Sequence, residues 1–273
     1  MSEQIILPFV LAYSVANNVE AETEAVQGKL SAAGFEIVGV AKPFNHARVV
    51  CFTSESVKAK ASSKVLGCFA SCLRASITQN GDNVEVSWTN PRYIGSYCRV
   101  EGSYDEEYNK LVASLGEQQS FGTKKPLTDA KLRKYHYKLG MPFFNEPWML
   151  GSFSSHDDAC NAVEKNLSAN ARGARKVYRI DLSNNETIFG VVLESGKFSD
   201  ETVMSKIDIV SPFHTAHLPV EVAVVANDVI AHSPKFRIAI NFSDLKMVGN
   251  HSFASIMECP TFYEKTFKAL AQK

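Results

Sequence analysis

An octapeptide that occurs twice constrains this chain more than any other feature. "AVQGKLSA" at 25–32 returns as "AVEKNLSA" at 162–169, with five of eight positions identical. Self-similarity at such a distance predicts that one folding unit is built twice. The elements after each copy arrive in the same order. Val19, Val26, Leu30 and Ala33 recur at helical spacing before Gly34, a helix stop. Ala159, Val163 and Leu167 do the same behind Ser155, which with Asp158 three residues on has the form of a capping box. Strands are predicted next at "FEIVGVA" and "KVYRIDL", then at "ARVVCF" (47–52) and "IFGVVLE" (188–194). The last two are Val- and Ile-rich runs that suit strands covered on both faces.

Each run leads into a short helix, at 54–64 and 199–207. "LRASIT" and "VEVSWT" then alternate around "QNGDN", where Asn80-Gly81 is a strong hairpin signal because both residues tolerate positive φ. The later hairpin is expected to pair "VEVAVV" with "FRIAINF" through an irregular "ANDVIAHSPK". Terminal helices follow at 103–116, capped by Ser103 and stopped by Gly116, and at 260–273, where Pro260 suits a first turn.

With leading strands near Ile5–Tyr13 and Trp148–Phe153, each half reads β-α-β-β-α-β-β-α. The fold class is therefore α+β: two tandem repeats, mainly antiparallel sheet packed against helices, with a pseudo-twofold relation. The first repeat is placed at 1–120 and the second at 148–273. Between them lies an ordered helical connector, 121–147, whose helix is expected to run from a Thr128 cap through Leu139 to Gly140. Its Tyr135, Tyr137, Phe143 and Phe144, with Trp148, need apolar surroundings, so it is expected to clasp the halves together.

Composition removes several function classes. Twenty-nine basic and 29 acidic residues cancel, so the broad positive field of a nucleic-acid or membrane-surface binder is not expected. No uncharged apolar run reaches the ~18 residues of a membrane span, and the apolar opening lacks a basic region ahead of it, so it reads as a strand in a cytoplasmic protein. The six cysteines form no C-x-x-C pair and read as reduced, buried thiols.

"KLSAAGFEIV", "VVCFTSE" and "LRASITQNGDNVEVSWTNPRYI" together resemble the small family catalogued as domain of unknown function 302. Its closing V-x-V-S-aromatic-x-x-P-x-aromatic segment is matched by Val84, Val86, Ser87, Trp88, Pro91 and Tyr93. The likeness covers roughly residues 20–100 and extends loosely to the second half, where aligning "VEVSWTNPRYI" with "FRIAINFSDLK" puts Ser243 at Pro91 and Leu245 at Tyr93. The resemblance implies a compact α/β fold and, in tandem, a pair like a homodimer of single domains. It supplies no catalytic residues.

His214 and His217 stand three apart between Pro212 and Pro219, which leave room for at most one helical turn. A metal would need a third ligand from Asp200, Asp208, His232 or His251. No metal and no cofactor are expected, and the histidines read as lining a cleft. Laying "GCFASCLRASI" over "PFHTAHLPVEV" sets Cys72 on His217 and Cys68 on Phe213. Cys68 and Cys72, spaced i,i+4, face one way on either a helix or a strand. Trp88, Tyr93 and Tyr97, with Arg92 or Arg74 as polar groups, are further cleft candidates. The segment "KLRKYHYK" (131–138) could touch an anionic partner, but a solvated face is the simpler reading. No G-x-S-x-G elbow, Walker loop or G-x-G-x-x-G turn is present. The expectation is a non-catalytic module, monomeric or homodimeric, binding a small molecule or a protein. The rival is a Cys/His enzyme or metalloprotein centred on His214 and His217.

Overall fold

The computed structural model describes residues 4–273. In the first unit β1 (Ile5–Ile6) and β2 (Phe9–Val15) precede α1 (Val19–Ala32), β3 (Glu36–Phe44), β4 (Ala47–Thr53) and α2 (Glu55–Ala61). A 3-10 turn at Gly67–Ala70 then leads to β5 (Leu73–Asn80), β6 (Asn83–Thr89), α3 (Pro91–Tyr97) and α4 (Asp105–Leu115). After β7 (Gln119–Phe121), β8 (Leu127–Thr128) and α5 (Asp129–Leu132), the second unit repeats the order. It runs β9 (Trp148–Ser152), α6 (His156–Ser168), β10 (Ala174–Asp181), β11 (Glu186–Leu193) and α7 (Asp200–Ile207). A 3-10 turn at Thr215–His217 leads to β12 (Val220–Val225), β13 (Asp228–Ala231), α8 (Pro234–Asn241) and α9 (Cys259–Leu270).

Local chemistry explains the boundaries. Asn18 accepts from Ala21 N to open α1, Ser155 accepts from Asp158 N to open α6, and Gly34 closes α1 at φ +83°. The sheets have the same strand order, β3-β4-β5-β6-β2 extended by β7, and β10-β11-β12-β13-β9. All neighbours in both are antiparallel. The α+β class holds.

Three expectations are corrected. The first hairpin turns on Gly81 and Asp82, one residue later than Asn80-Gly81, since Asn80 pairs with Asn83. In the second unit "VEVAVV" pairs with Asp228–Ala231 across a tight Ala226–Asn227 turn, and "FRIAINF" is helical. Ser233 caps that helix and Pro234 opens it, as Asn90 and Pro91 do for α3, so start chemistry overrides the period-two pattern. In the connector the helix stops at Leu132, seven residues before Leu139. Leu132 is fully buried, Arg133 donates to Val100 O of the first unit, and the Tyr135 hydroxyl donates to Ala239 O of the second. These tethers to two bodies pull the chain off a helical course. Phe144 inserts among Phe69, Tyr97, His232 and Phe236, so the connector touches both units.

The registers fix which positions correspond. Gly39, Cys51 and Arg74 lie abreast across β3, β4 and β5, just past a bulge in β3. Tyr178, Gly190 and Glu221 lie abreast across β10, β11 and β12, just past a bulge in β10. Arg74 thus corresponds to Glu221. Three residues before each strand stand Ala70 and His217, so setting His217 on Cys72 is out by two. Likewise Pro234 and Phe236, and not Ser243 and Leu245, correspond to Pro91 and Tyr93.

The units exchange turns. The Thr215–His217 turn rests on β4, β5 and β6, and the Gly67–Ala70 turn on β11 and β12. Strand β3 lies against β10 so closely that a Cβ on Gly39 would sit 2.4 Å from Val177 O. Phe189, Val191 and Leu193 of β11 join a core built mainly from the second unit, with Phe44 and Ala47 of the first at its edge, while Ile188 and Val192 join a core continuous with the first unit. This two-sided burial is what the unbroken apolar run required. Among the described residues no helix is long and apolar enough to cross a membrane.

Candidate functional site

Alternation along β5 sends Leu73, Ala75 and Ile77 to one face and Arg74, Ser76 and Thr78 to the other. All six are buried, because the second unit covers the polar face. Glu221 interrupts the valines of β12 in the corresponding place and meets Arg74 across the seam in an ion pair. Its other oxygen accepts from Arg237 Nη1 of α8 at 2.8 Å. The Tyr178 hydroxyl donates to Glu221 Oε1 at 2.9 Å and accepts from Arg74 Nη2 at 3.4 Å. Arg237 Nη2 also ties down the Thr215–His217 turn, donating to His217 O at 2.8 Å and Pro219 O at 3.2 Å.

Burial opposes ionisation of Glu221, but Arg74 and Arg237 outweigh it and hold the carboxyl below its ordinary range. Burial, with Arg237 and Arg74 adding, keeps His217 well below its ordinary value and therefore neutral. Burial also raises the Cys72 thiol, yet the hydrogen bond from Cys51 and the charge of Arg74 leave it lowered. Two guanidiniums, always charged, thus face one carboxylate in a buried site. Arg74 Nε, Arg237 Nε and His217 Nδ1 have no hydrogen-bond partner.

A cavity of about 20 Å³ opens beside this cluster, room for roughly one water. Most of its lining comes in corresponding pairs: Arg74 with Glu221, Thr89 with His232, Tyr93 with Phe236, Ile94 with Arg237. The cavity therefore sits where the units meet.

Of the residues singled out from sequence, the cavity brings together Tyr93, Tyr97, Arg74, His217 and His232. The others lie elsewhere. Trp88 is core, its indole N–H donating to Gly116 O. Arg92 lies outside, paired with Asp105 and 3.8 Å from the Tyr108 ring centroid. His214 is wedged against Phe9, Phe121 and Phe242 with Nδ1 3.2 Å from Asp208, so it shares no cavity with His217. Cys72 meets Cys51, whereas Cys68 donates its backbone N–H to Glu186, so the two thiols do not act as a pair. All six cysteines are free and buried. Among the described residues no set of three His, Cys, Asp or Glu side chains could hold a metal ion.

Sequence reasoning missed Tyr178, Glu221 and Arg237. A signal existed for one: a lone glutamate inside "VEVAVV" must be paired if that strand is buried. It also missed two clasps at the seam. Glu186 accepts from the backbone N–H groups of Leu66 and Cys68 at 2.8 and 3.0 Å. Glu85 accepts from Ser211 Oγ and from Phe213 N, so each sheet holds the loop of the other unit by a buried carboxylate. No family model matches the chain, and comparison with curated proteins and with solved structures returned no match.

Proposed function

We propose that this chain is a non-catalytic small-ligand-binding module built as an intramolecular pseudo-dimer, and that its ligand is a small anion taken into the cavity between the units. The observation that carries this reading is the excess of cationic groups there: Arg74 and Arg237 against Glu221, with both Nε–H groups and His217 Nδ1 unpartnered. An unbalanced buried cation costs several kcal/mol, and an anion about the size of a water molecule, such as chloride, fits the cavity and offsets that cost. The resemblance to the domain of unknown function 302 family belongs to the same reading. The P-x-aromatic step of its motif occurs in both units, and Tyr93 and Phe236 both line the cavity. A cytoplasmic setting is part of it too, supported by six thiols kept unpaired.

Thermal unfolding in fluoride, chloride and bromide series tests the assignment. Stabilisation that grows with the logarithm of anion concentration and reaches about 2.7 kcal/mol at a hundredfold excess over Kd is expected, and its loss is expected in Arg237→Gln. A stabilisation that survives in Arg237→Gln, or none with any of the three anions, defeats the reading.

A further inference from the structure

Residues 123–138 fold around an open groove of about 790 Å³, closed on the far side by Tyr93, Ser243 and Asp244. Lys125, Lys131, Lys134 and Lys138 line it. On one long helix these lysines would spread around a solvated face. Because α5 ends at Leu132, they come instead from three stretches: before β8, around α5, and the turns beyond. Among the described residues none of the four makes an ion pair, so all four ammonium groups are available to a ligand. The groove's own carboxylate, Asp244, accepts from Lys124 N at 2.6 Å.

Four exposed lysines around a groove that holds one carboxylate give it a positive field, and the volume lies within the range of small-molecule sites. Aromatic groups complete the groove. Tyr93 and Tyr135 are fixed by hydroxyls donating to Ile240 O and Ala239 O, at 2.7 and 2.8 Å. Tyr137 is half-buried, with Lys138 Nζ 5.1 Å from its ring centroid.

We propose that this groove binds a nucleoside polyphosphate, with the phosphates among the four lysines and the base against Tyr137. Lysine serves phosphate as a mobile point charge, and a ring beside it gives a base a stacking surface. The balanced charge of the whole chain favours a mononucleotide over a strand, which needs a longer basic track. The site is separate from the anion cavity, although Tyr93 lines both.

Calorimetric titration of the full chain with ATP, inorganic tripolyphosphate and a mixed-sequence single-stranded oligonucleotide tests the assignment. Saturable ATP binding that weakens with salt is expected. Lys131→Glu with Lys134→Glu should weaken it by roughly tenfold or more, with the melting temperature monitored as a check on folding. Should that variant not fold, Lys125→Glu with Lys138→Glu takes its place. Tyr137→Ala should weaken ATP severalfold and leave tripolyphosphate unchanged. Absent ATP binding, binding indifferent to both charge reversals, or an oligonucleotide that binds more tightly than ATP overturns the proposal.

Discussion

Arg74 and Glu221 occupy the same place in two sheets of like topology and pair with each other across the seam. In a symmetric pair of identical units this position would face its own copy, and like charges would meet. Opposite charges let one chain join its halves where two identical chains could not. Removing Glu221 leaves Arg74 and Arg237 buried with no counter-charge, so Glu221→Leu should cost about 3–5 kcal/mol in urea unfolding. Combined with Arg74→Met, the loss should be well below the sum of the two single variants. Additive losses would show that the pair is uncoupled.

The carboxylate clasps can be separated from one another. Glu186→Gln keeps one acceptor but sets an amide donor against Leu66 or Cys68 N–H, at a cost of about 1–3 kcal/mol. Hydrogen exchange at Leu66 and Cys68 should quicken in that variant and stay unchanged in Glu85→Gln, which loosens Ser211 and Phe213 instead. Equal acceleration at both loops in either variant would mean that the seam opens as one piece.

Two buried groups impose opposite pH dependences. Burial pushes His232 down to about 4, so its contribution is intact above pH 6.5 and is lost as pH falls towards 4. Burial pushes the Asp200 carboxyl up to about 7, so its contribution is full below pH 3.8 and is lost as pH rises through 7. At 1.36 kcal/mol per pH unit each amounts to about 3–4 kcal/mol, and in the native protein the two partly cancel. Asp200→Asn should therefore raise stability at pH 8 by about 2–4 kcal/mol and leave it nearly unchanged at pH 4. Equal effects at both pH values would place the Asp200 carboxyl in its ordinary range.

A Cβ on Gly190 would lie 2.1 Å from a carbon of the Tyr178 ring. That ring cannot retreat without giving up its hydrogen bond to Glu221, so Gly190→Ala should cost about 1–3 kcal/mol. In a Tyr178→Ala background the same change should be nearly neutral. A full cost in both backgrounds would point to the backbone of β11 as the obstacle.

Much of the fold was legible because its determinants are local. The Ser155 cap, the Gly34 stop and the apolar run of β11 each declare their element from a few neighbouring residues. The second hairpin was not, because "FRIAINF" fits a strand and a helix equally by pattern, and the deciding residue was Pro234. The site was harder. In "LRASIT" strict alternation reads as one face in solvent, and nothing local reveals that Arg74 is covered by a partner 147 residues away. Tyr93 and His217 were found through the shape of their segments. Glu221, Arg237 and Tyr178 become a site only through the docking of the halves.

The exchanged turns make the peptide link between the halves a tether more than a structural beam. Leu139 protrudes from the connector at 99% exposure, within reach of a protease, yet the surfaces that hold the halves together lie elsewhere. A chain nicked there should migrate as one particle in native gel filtration and as two bands under denaturing electrophoresis. Each half made alone would leave bare the seat that the other half's turn fills, so the two are suited to fragment complementation and not to life as independent domains.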